Sequence, residues 1–501
     1  MLLDFANQSD YFWALLPEIV LSLGGMLVLL VDVFQKGRRS GPSAPIVPWL
    51  AVGGLLATAV ANGWMLGLAE TGTAGVIVVD GFRVFANFII LIAALITILI
   101  SIGYPESTGI NRGEFFALIL FSTVGMMLMA GTRDLMLLFL ALELMSIAVY
   151  VLVGFNRTDP RSAEGSLKYF LLGAFSSAFL LYGIALVWGS TGTTNISEIG
   201  AQLGGGLEAN AMFLTGAALL VVGLGFQVAA VPFHMWTPDA YDGAPTPITA
   251  FMATGVKAAA FAAFIRLFAV AFGGAYEVWS QVLWWLAILT MFGANLIALT
   301  QGSVKRMLAY SSIAHAGYLL VAVLAANAHG AAAFLFYLLT YTLMTAGAFG
   351  VVIANTRGGR ERISLQDYAG FGWQQPLLGA IFSVFLLSLA GFPLTGGFIG
   401  KLYILRAAIS AGYQELAVAL VVASLISYFY YLRIVVVMYM RPAADESAPR
   451  LVVSGPLVVA VSAAAAGVLV LFFYPAGFLD AAQQSVATLF AAPGAFFGLV
   501  P

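Results

Sequence analysis

Cysteine is absent from this 501-residue chain, and charge is scarce. Without a thiolate there is no disulfide and no cysteine ligand for zinc or an iron–sulfur cluster. Charged residues make up 9% of the sequence, where a soluble domain carries about 25%. That shortage excludes an ordinary water-soluble domain. Histidine is equally sparse: His234, His315 and His329 lie far apart without HxxxH or HExxH spacing, so no metal or redox centre is expected. A net charge of −2 offers no electrostatic footprint for nucleic acid. Basic residues are also missing ahead of the first apolar run, MLLDFANQSDYFWALLPEIVLSL, and follow it at Lys36, Arg38 and Arg39. This predicts a membrane helix entered from outside rather than a cleavable signal.

Apolar residues fill the space that charge leaves, at 61% of the chain. A helix needs roughly 20 of them to cross about 30 Å of hydrocarbon. Such runs are predicted near 12–34, 46–69, 82–103, 114–131, 135–155, 165–189, 210–231, 246–272, 278–299, 304–326, 330–355, 374–409, 414–440 and 452–474. The expected fold class is an all-α polytopic membrane protein of about fourteen transmembrane helices. With the N-terminus outside, the inner connections hold Lys36, Arg38, Arg39, Arg112, Arg157, Arg161, Lys305, Arg306, Arg357, Arg360, Arg362, Arg441 and Arg450. The outer ones hold only Arg83 and Arg133. This asymmetry follows the positive-inside rule and puts both termini outside.

Two spans are interrupted. In GLGFQVAAVPFHMWTPDAYDGAPTPITAFMATGVK, Pro232 removes a backbone donor, and a polar run with His234, Asp239 and Asp242 follows. A second interruption falls at LSLAGFPLTGGFIGKLYIL, Leu387–Leu405, with Pro393, Gly396 and Gly397. Irregular backbone at membrane depth survives only where it is buried in protein or lines a watery cavity. A matched pair of broken helices points to inverted repeats around a transport path.

Ionisable residues inside spans are expensive, about 2.5–3.5 kcal/mol each on insertion scales, and therefore mark function. Glu143 sits mid-span, fit to carry a proton or to pair with a lysine of another helix. Lys257 is deep in its span, where lost hydration favours proton exchange near neutral pH. Lys401 follows the second break, beside the cavity an interrupted helix opens. Lys168 stands four residues after Glu164, and an i,i+4 pair explains it as well as function does. His315 suits either a proton relay or a neutral core histidine bonded to Ser311 or Ser312. His234, beside Pro232, is better placed to line a path; His329 is expected in a loop. Arg266 and Arg406 are expected to anchor at the surface, and Asp239 and Asp242 to cap a helix or bind an arginine.

The segments VPFHMWTPDAYDGAPTPITAFMATGVKAAAF, QGSVKRMLAYSSIAHAGYLL and LAGFPLTGGFIGKLYIL resemble the subunit N family of proton-pumping NADH–quinone oxidoreductase, respiratory complex I. The likeness covers most of spans four to thirteen. It implies inverted repeats over spans 4–8 and 9–13, discontinuous helices 7 and 12, and one membrane domain. That domain divides into three helices (1–112), a first repeat (113–273), a second (274–441) and a last helix with tail (442–501). The resemblance assigns proton transfer to Glu143, Lys168, Lys257 and Lys401. It implies no cofactor in this chain, with NADH, FMN, iron–sulfur clusters and quinone handled by partner subunits in a bacterial inner membrane.

One position departs from the pattern. Where the family usually has lysine before the first break, this chain has Gln227. Glutamine orients water but has no proton to give near neutral pH. Two alternatives therefore stand beside a proton-translocating subunit: a cation/proton antiporter component, and a non-pumping structural subunit of the same complex.

Overall fold

The computed structural model describes residues 1–36, 45–72, 75–104, 112–206, 210–325, 327–356, 361–442 and 453–490. The expectations for Arg38, Arg39, Arg357, Arg360 and Arg450 lie outside the described residues. Nearly everything else is helix. A short α1 (Gln8–Ala14) precedes α2 (Leu16–Lys36), α3 (Ile46–Trp64), α4 (Gly81–Ser101), α5 (Gly113–Gly131), α6 (Leu135–Val153) and α7 (Pro160–Thr191). After the connector α8 (Ile196–Gly204), the first interrupted span is α9 (Ala211–Gln227) and α10 (Thr237–Gly243). The next runs through α11 (Thr246–Phe251) and α12 (Lys257–Arg266), with π-helical turns at Met252–Val256 and Leu267–Ala271. Then come α13 (Tyr276–Leu299), α14 (Val304–Leu324), α15 (Ala328–Ala354) and a short α16 (Phe371–Gln374). The second interrupted span is α17 (Pro376–Ala390) and α18 (Gly396–Ser410), followed by α19 (Gln414–Met440), α20 (Gly455–Phe473) and α21 (Pro475–Phe490). Two residue pairs form the one parallel ladder among the described residues, β1 (Leu2–Leu3) with β2 (Ala69–Glu70).

Among the described residues, twelve helices are long and apolar enough to cross a membrane. The first halves of the two broken spans, α9 and α17, are apolar but shorter. Connections are set locally. Asp80, Asp134, Asp159, Asn195, Asn210, Ser303 and Asn327 each accept a backbone N–H at the start of the helix that follows, satisfying donors the helix cannot pair itself.

Burial sorts the helices into centre and rim. The spans through α11–α12 and α14 are 100% buried over their apolar windows and α15 94%, against 33% for α2 and α3 and 39% for α7, α19 and α20. The most enclosed helices carry Lys257, His315 and several tyrosines, so the core of this molecule is its polar axis.

Both breaks are built alike. The α9 half ends in a left-handed Ala229 (φ 60), and the Ala230 N–H reaches back to the Gly225 carbonyl at 2.8 Å. The α17 half ends in left-handed Gly391 (φ 87), and the Phe392 N–H reaches the Leu387 carbonyl at 2.9 Å. Each is a Schellman closure, which stops a helix by consuming its last carbonyls. Alanine in that conformation is uncommon and costs roughly 1–2 kcal/mol, so the surrounding fold holds the first break in place.

Candidate functional site

The axis is assembled from one face of each central helix. Lys257, the first residue of α12, donates from Nζ to the Ser312 carbonyl and to Ser312 Oγ, both at 2.6 Å. Tyr341 of α15 donates to the same Ser312 Oγ at 2.8 Å. His315, one turn along α14, is bonded through Nδ1 to Tyr337 Oη at 2.6 Å and through Nε2 to Tyr431 Oη at 3.3 Å. Tyr431 continues to Ser311. Lys401 closes the row: its Nζ lies 4.7 Å from the centre of the Tyr318 ring, and Tyr318 meets His315 edge-on with ring centres 5.2 Å apart. All these side chains are buried, and no carboxylate pairs with either lysine among the described residues.

Lys401 is held by the second break itself. Its Nζ donates to the Leu389 and Ala390 carbonyls at 3.0 and 2.9 Å, the last of α17. A helix C-terminus carries partial negative charge, so this is a ready site for an ammonium. Gly391 makes room, since a Cβ there would stand 2.9 Å from Lys401 Cδ. Gly397 lets α18 sit on α17, where a Cβ would fall 2.0 Å from the Ser388 carbonyl oxygen.

The first half of the molecule is polar in a different way. On α6, Glu143, Ser146 and Tyr150 share one face by spacing. Glu143, half-buried, accepts from Ser177 of α7. Gln227 donates to Ser146 Oγ at 3.4 Å, and its own Oε1 is buried without a partner. Lys168 is not brought to this cluster. It is 44% exposed on the rim and paired with Glu164 at 2.6 Å and Asp239 at 2.8 Å. Arg306 joins Asp239 at 3.2 Å, so Asp239 binds an arginine as expected. His234 is half-buried in the first break with Nδ1 unpartnered. His329 lies exposed in the first turn of α15.

Several expectations need correcting. Arg266 is no surface anchor: it is 3% exposed and forks onto Asp80 at 2.8 and 3.1 Å, with a third bond to the Ala130 carbonyl. The reason is that α4 begins at the same level, and its N-cap Asp80 offers a carboxylate there. Arg406, by contrast, is exposed. Arg83 lies in the first turn of α4 rather than in a loop, and Arg133 does lie in the α5–α6 connection; both are buried partners, of Glu18 and Glu70. His315 bonds tyrosines of α15 and α19 rather than Ser311 or Ser312, because its ring points across to neighbouring helices.

Lys305 is the largest correction. It is not a free inner charge but 1% exposed, donating to the Ala244 carbonyl at 2.6 Å and to Glu361 at 3.2 Å. Glu361 also receives the Tyr104 hydroxyl and the Thr246 N–H, the latter at 3.3 Å. Burial pushes the Glu361 carboxyl up, but the Lys305 charge and the hydrogen bonds from Thr246, Tyr104 and Lys305 outweigh it and hold the group below its ordinary range. Glu361 and Tyr104 escape a sequence reading because both lie just outside spans; the tyrosines of α15 were legible only as an i,i+4 pair, Tyr337 and Tyr341.

Among the described residues no group of three or more His, Asp or Glu side chains converges as a metal site. A chain-wide pattern of buried side-chain oxygens without a partner runs through Tyr150, Tyr169, Gln227, Thr237, Thr246, Thr342 and Thr345.

Comparison with known proteins agrees with this architecture. Residues 132–427 match the membrane region of the NADH:quinone oxidoreductase/Mrp antiporter family. NADH-quinone oxidoreductase subunit N of Trichlorobacter lovleyi is 47% identical over 477 residues, covering 94% of this chain and 96% of that protein. Subunit N 1 of Sorangium cellulosum is 47% identical over 94% of this chain and 98% of its own. A chain of respiratory complex I from Thermus thermophilus superposes with TM-score 0.77 at 35% identity, over 94% of this chain and 100% of that one. A chain of the Mrp complex from Dietzia, at 23% identity and TM-score 0.82 over 97% and 99%, shares the fold. This multi-pass membrane chain therefore belongs to the NADH-quinone oxidoreductase subunit N family, within the NADH:quinone oxidoreductase/Mrp antiporter family.

Proposed function

We propose that the chain is a proton-translocating membrane subunit of a complex-I-type NADH:quinone oxidoreductase, driven by quinone reduction in partner subunits that hold the NADH, FMN, iron–sulfur and quinone sites. The observation that carries this reading is the run Lys257–Ser312–Tyr341 beside His315–Tyr337 and Lys401, with two buried lysines lacking a carboxylate. Hydroxyls and imidazole pass protons because each is donor and acceptor at once. A buried amine that is not locked in an ion pair is free to lose and regain its proton. Charge on one lysine also acts on the next: at an effective dielectric near 20, two charges about 8 Å apart interact by roughly 2 kcal/mol, more than one pKa unit. A redox event elsewhere in the complex can thus be relayed along the membrane plane as successive protonations.

In this reading Glu143 modulates the first half, Lys257 is the central carrier, and Lys401 stands at the exit side. Lys168 acts from the rim through Asp239. Matching breaks support the division into two five-span repeats of opposite orientation, and the inner side is the end holding Lys305, Arg306 and Arg161, facing the bacterial cytoplasm. The other membrane subunits of the complex and the lipid bilayer cover the rim.

The test is Lys257→Met in the assembled complex, reconstituted in vesicles and supplied with NADH and quinone. The expected result is fewer protons moved per electron, with the complex present at its normal amount. Full proton transfer in that variant ends the proposal and leaves the structural role.

A further inference from the structure

Lys305 is buried, and its ion pair alone does not account for where its ammonium sits. Nζ lies closer to the Ala244 carbonyl, at 2.6 Å, than to Glu361, at 3.2 Å. Glu361 in turn receives the Thr246 N–H at 3.3 Å. These two peptide groups flank Pro245, where α10 hands over to α11. Neither Pro245 nor Pro247 has an N–H, so Thr246 is the one backbone donor at this corner. Lys305 and Glu361 thus grip the chain on both sides of the point where the helix carrying Lys257 restarts. The Tyr104 hydroxyl on Glu361 ties in the segment after α4.

The grip is in line with Lys257. Lys305 and Ser312 stand about two turns, roughly 10 Å, apart on α14 and share one face of it. That face holds the neighbouring span at two levels, through Lys305 on Ala244 and through Ser312 on Lys257. Between the two levels lies the π-helical turn Met252–Val256. A π turn closes i→i+5 and so takes up one residue more than an α turn. Each residue of an α-helix turns by about 100°. Relaxation of this turn to α would therefore swing Lys257 by that angle, away from Ser312.

We propose that Lys305, seated by Glu361, is a positioning residue for proton transfer at Lys257. The pair holds the restart of the span, so that the π turn persists and Lys257 stays aimed at Ser312. In this role neither Lys305 nor Glu361 gives up or takes a proton. The inference rests on Lys257 being a proton carrier and adds what keeps that carrier in register.

The experiment compares Lys257→Met, Lys305→Met and Lys305→Arg, each in the whole complex in vesicles, with assembly followed by native electrophoresis. Lys305→Met is expected to lose the same share of protons per electron as Lys257→Met. Lys305→Arg keeps donors for Ala244 and Glu361 and is expected to hold most of the wild-type yield. The second readout is amide hydrogen exchange of the solubilised complex, which reports local opening of backbone hydrogen bonds. In Lys305→Met, exchange is expected to rise severalfold across residues 248–257 and to stay at the wild-type rate in α17 and α18. Wild-type pumping by Lys305→Met overturns the inference, as does unchanged exchange across 248–257. A loss that Lys305→Arg shares, or one with faster exchange in α17 and α18, marks general damage and overturns it too. Normal pumping by Lys257→Met overturns the functional proposal itself, whatever Lys305→Met does. If Lys305→Met does not assemble, Glu361→Ala releases Thr246 and Glu361→Gln keeps an acceptor for it, and that pair of variants carries the same expectations.

Discussion

A lysine in a bilayer either finds a counter-charge or stays able to shed its proton, and this molecule contains both kinds. Lys305 is fixed by Glu361 and Lys168 by two carboxylates, whereas among the described residues Lys257 meets hydroxyl and carbonyl oxygens, Lys401 meets carbonyl oxygens and the Tyr318 ring, and neither meets a carboxylate. The arginines are all of the first kind where buried. Arg266→Ala strands Asp80, 8% exposed at its side chain, and is expected to cost about 3–5 kcal/mol, as breaking buried pairs does. A lowered thermal unfolding midpoint of the detergent-solubilised complex would register it. Glu361 gives a pH signature. Because its folded-state carboxyl is held below the ordinary range, its stabilisation is complete above the unfolded value, about pH 4, and is lost as pH falls through the lower folded value. The midpoint difference between wild type and Glu361→Gln should accordingly stay constant near neutrality and shrink only below about pH 4.

At the scale of elements, the two breaks do different jobs with the same closure. The second presents α17 carbonyls to Lys401 and depends on Gly391 and Gly397 for space. Gly397→Ala would drive a methyl into the Ser388 carbonyl and force α18 off α17, a cost of about 1–3 kcal/mol typical of overpacking. Lower proton transfer with Lys401 itself intact is the expected outcome; unchanged transfer would show that the seat of α18 is not critical. The first break presents Gln227, which is neutral. Both π-helical turns flank α12, the helix that begins with Lys257, and such turns recur at functional sites. Beyond Lys257 that helix reads AAAFAAFI before Arg266, an apolar stretch that separates the lysine from the Arg266–Asp80 ion pair.

Taken whole, the molecule is a polar axis wrapped in apolar helices, the inverse of a soluble domain. One end is closed by Arg83–Glu18, Arg133–Glu70 and Arg266–Asp80, all largely buried, and the opposite end holds the Glu361 cluster. An axis of lysines, tyrosines and histidine suits protons and not a hard cation, which requires several oxygen ligands. Proton translocation by the reconstituted complex should therefore be independent of sodium at constant ionic strength. A pumping rate that rises with sodium would instead favour an antiporter component.

Much of this was readable in the chain itself. Apolar runs of bilayer length locate the spans to within a few residues, and Pro232, Pro393 and the glycines around them mark both breaks, because backbone geometry at those points is set by local covalent chemistry. Lys257, Lys401 and Glu143 stand out for a similar reason: a charge amid apolar residues is costly wherever the helix packs. What only the tertiary structure decided is which charges are paired. Lys305, Arg266 and Arg83 look like ordinary boundary residues in sequence, and their partners Glu361, Asp80 and Glu18 lie 56, 186 and 65 positions away. Pairing at that separation depends on which helices end at the same depth, and no local pattern records it.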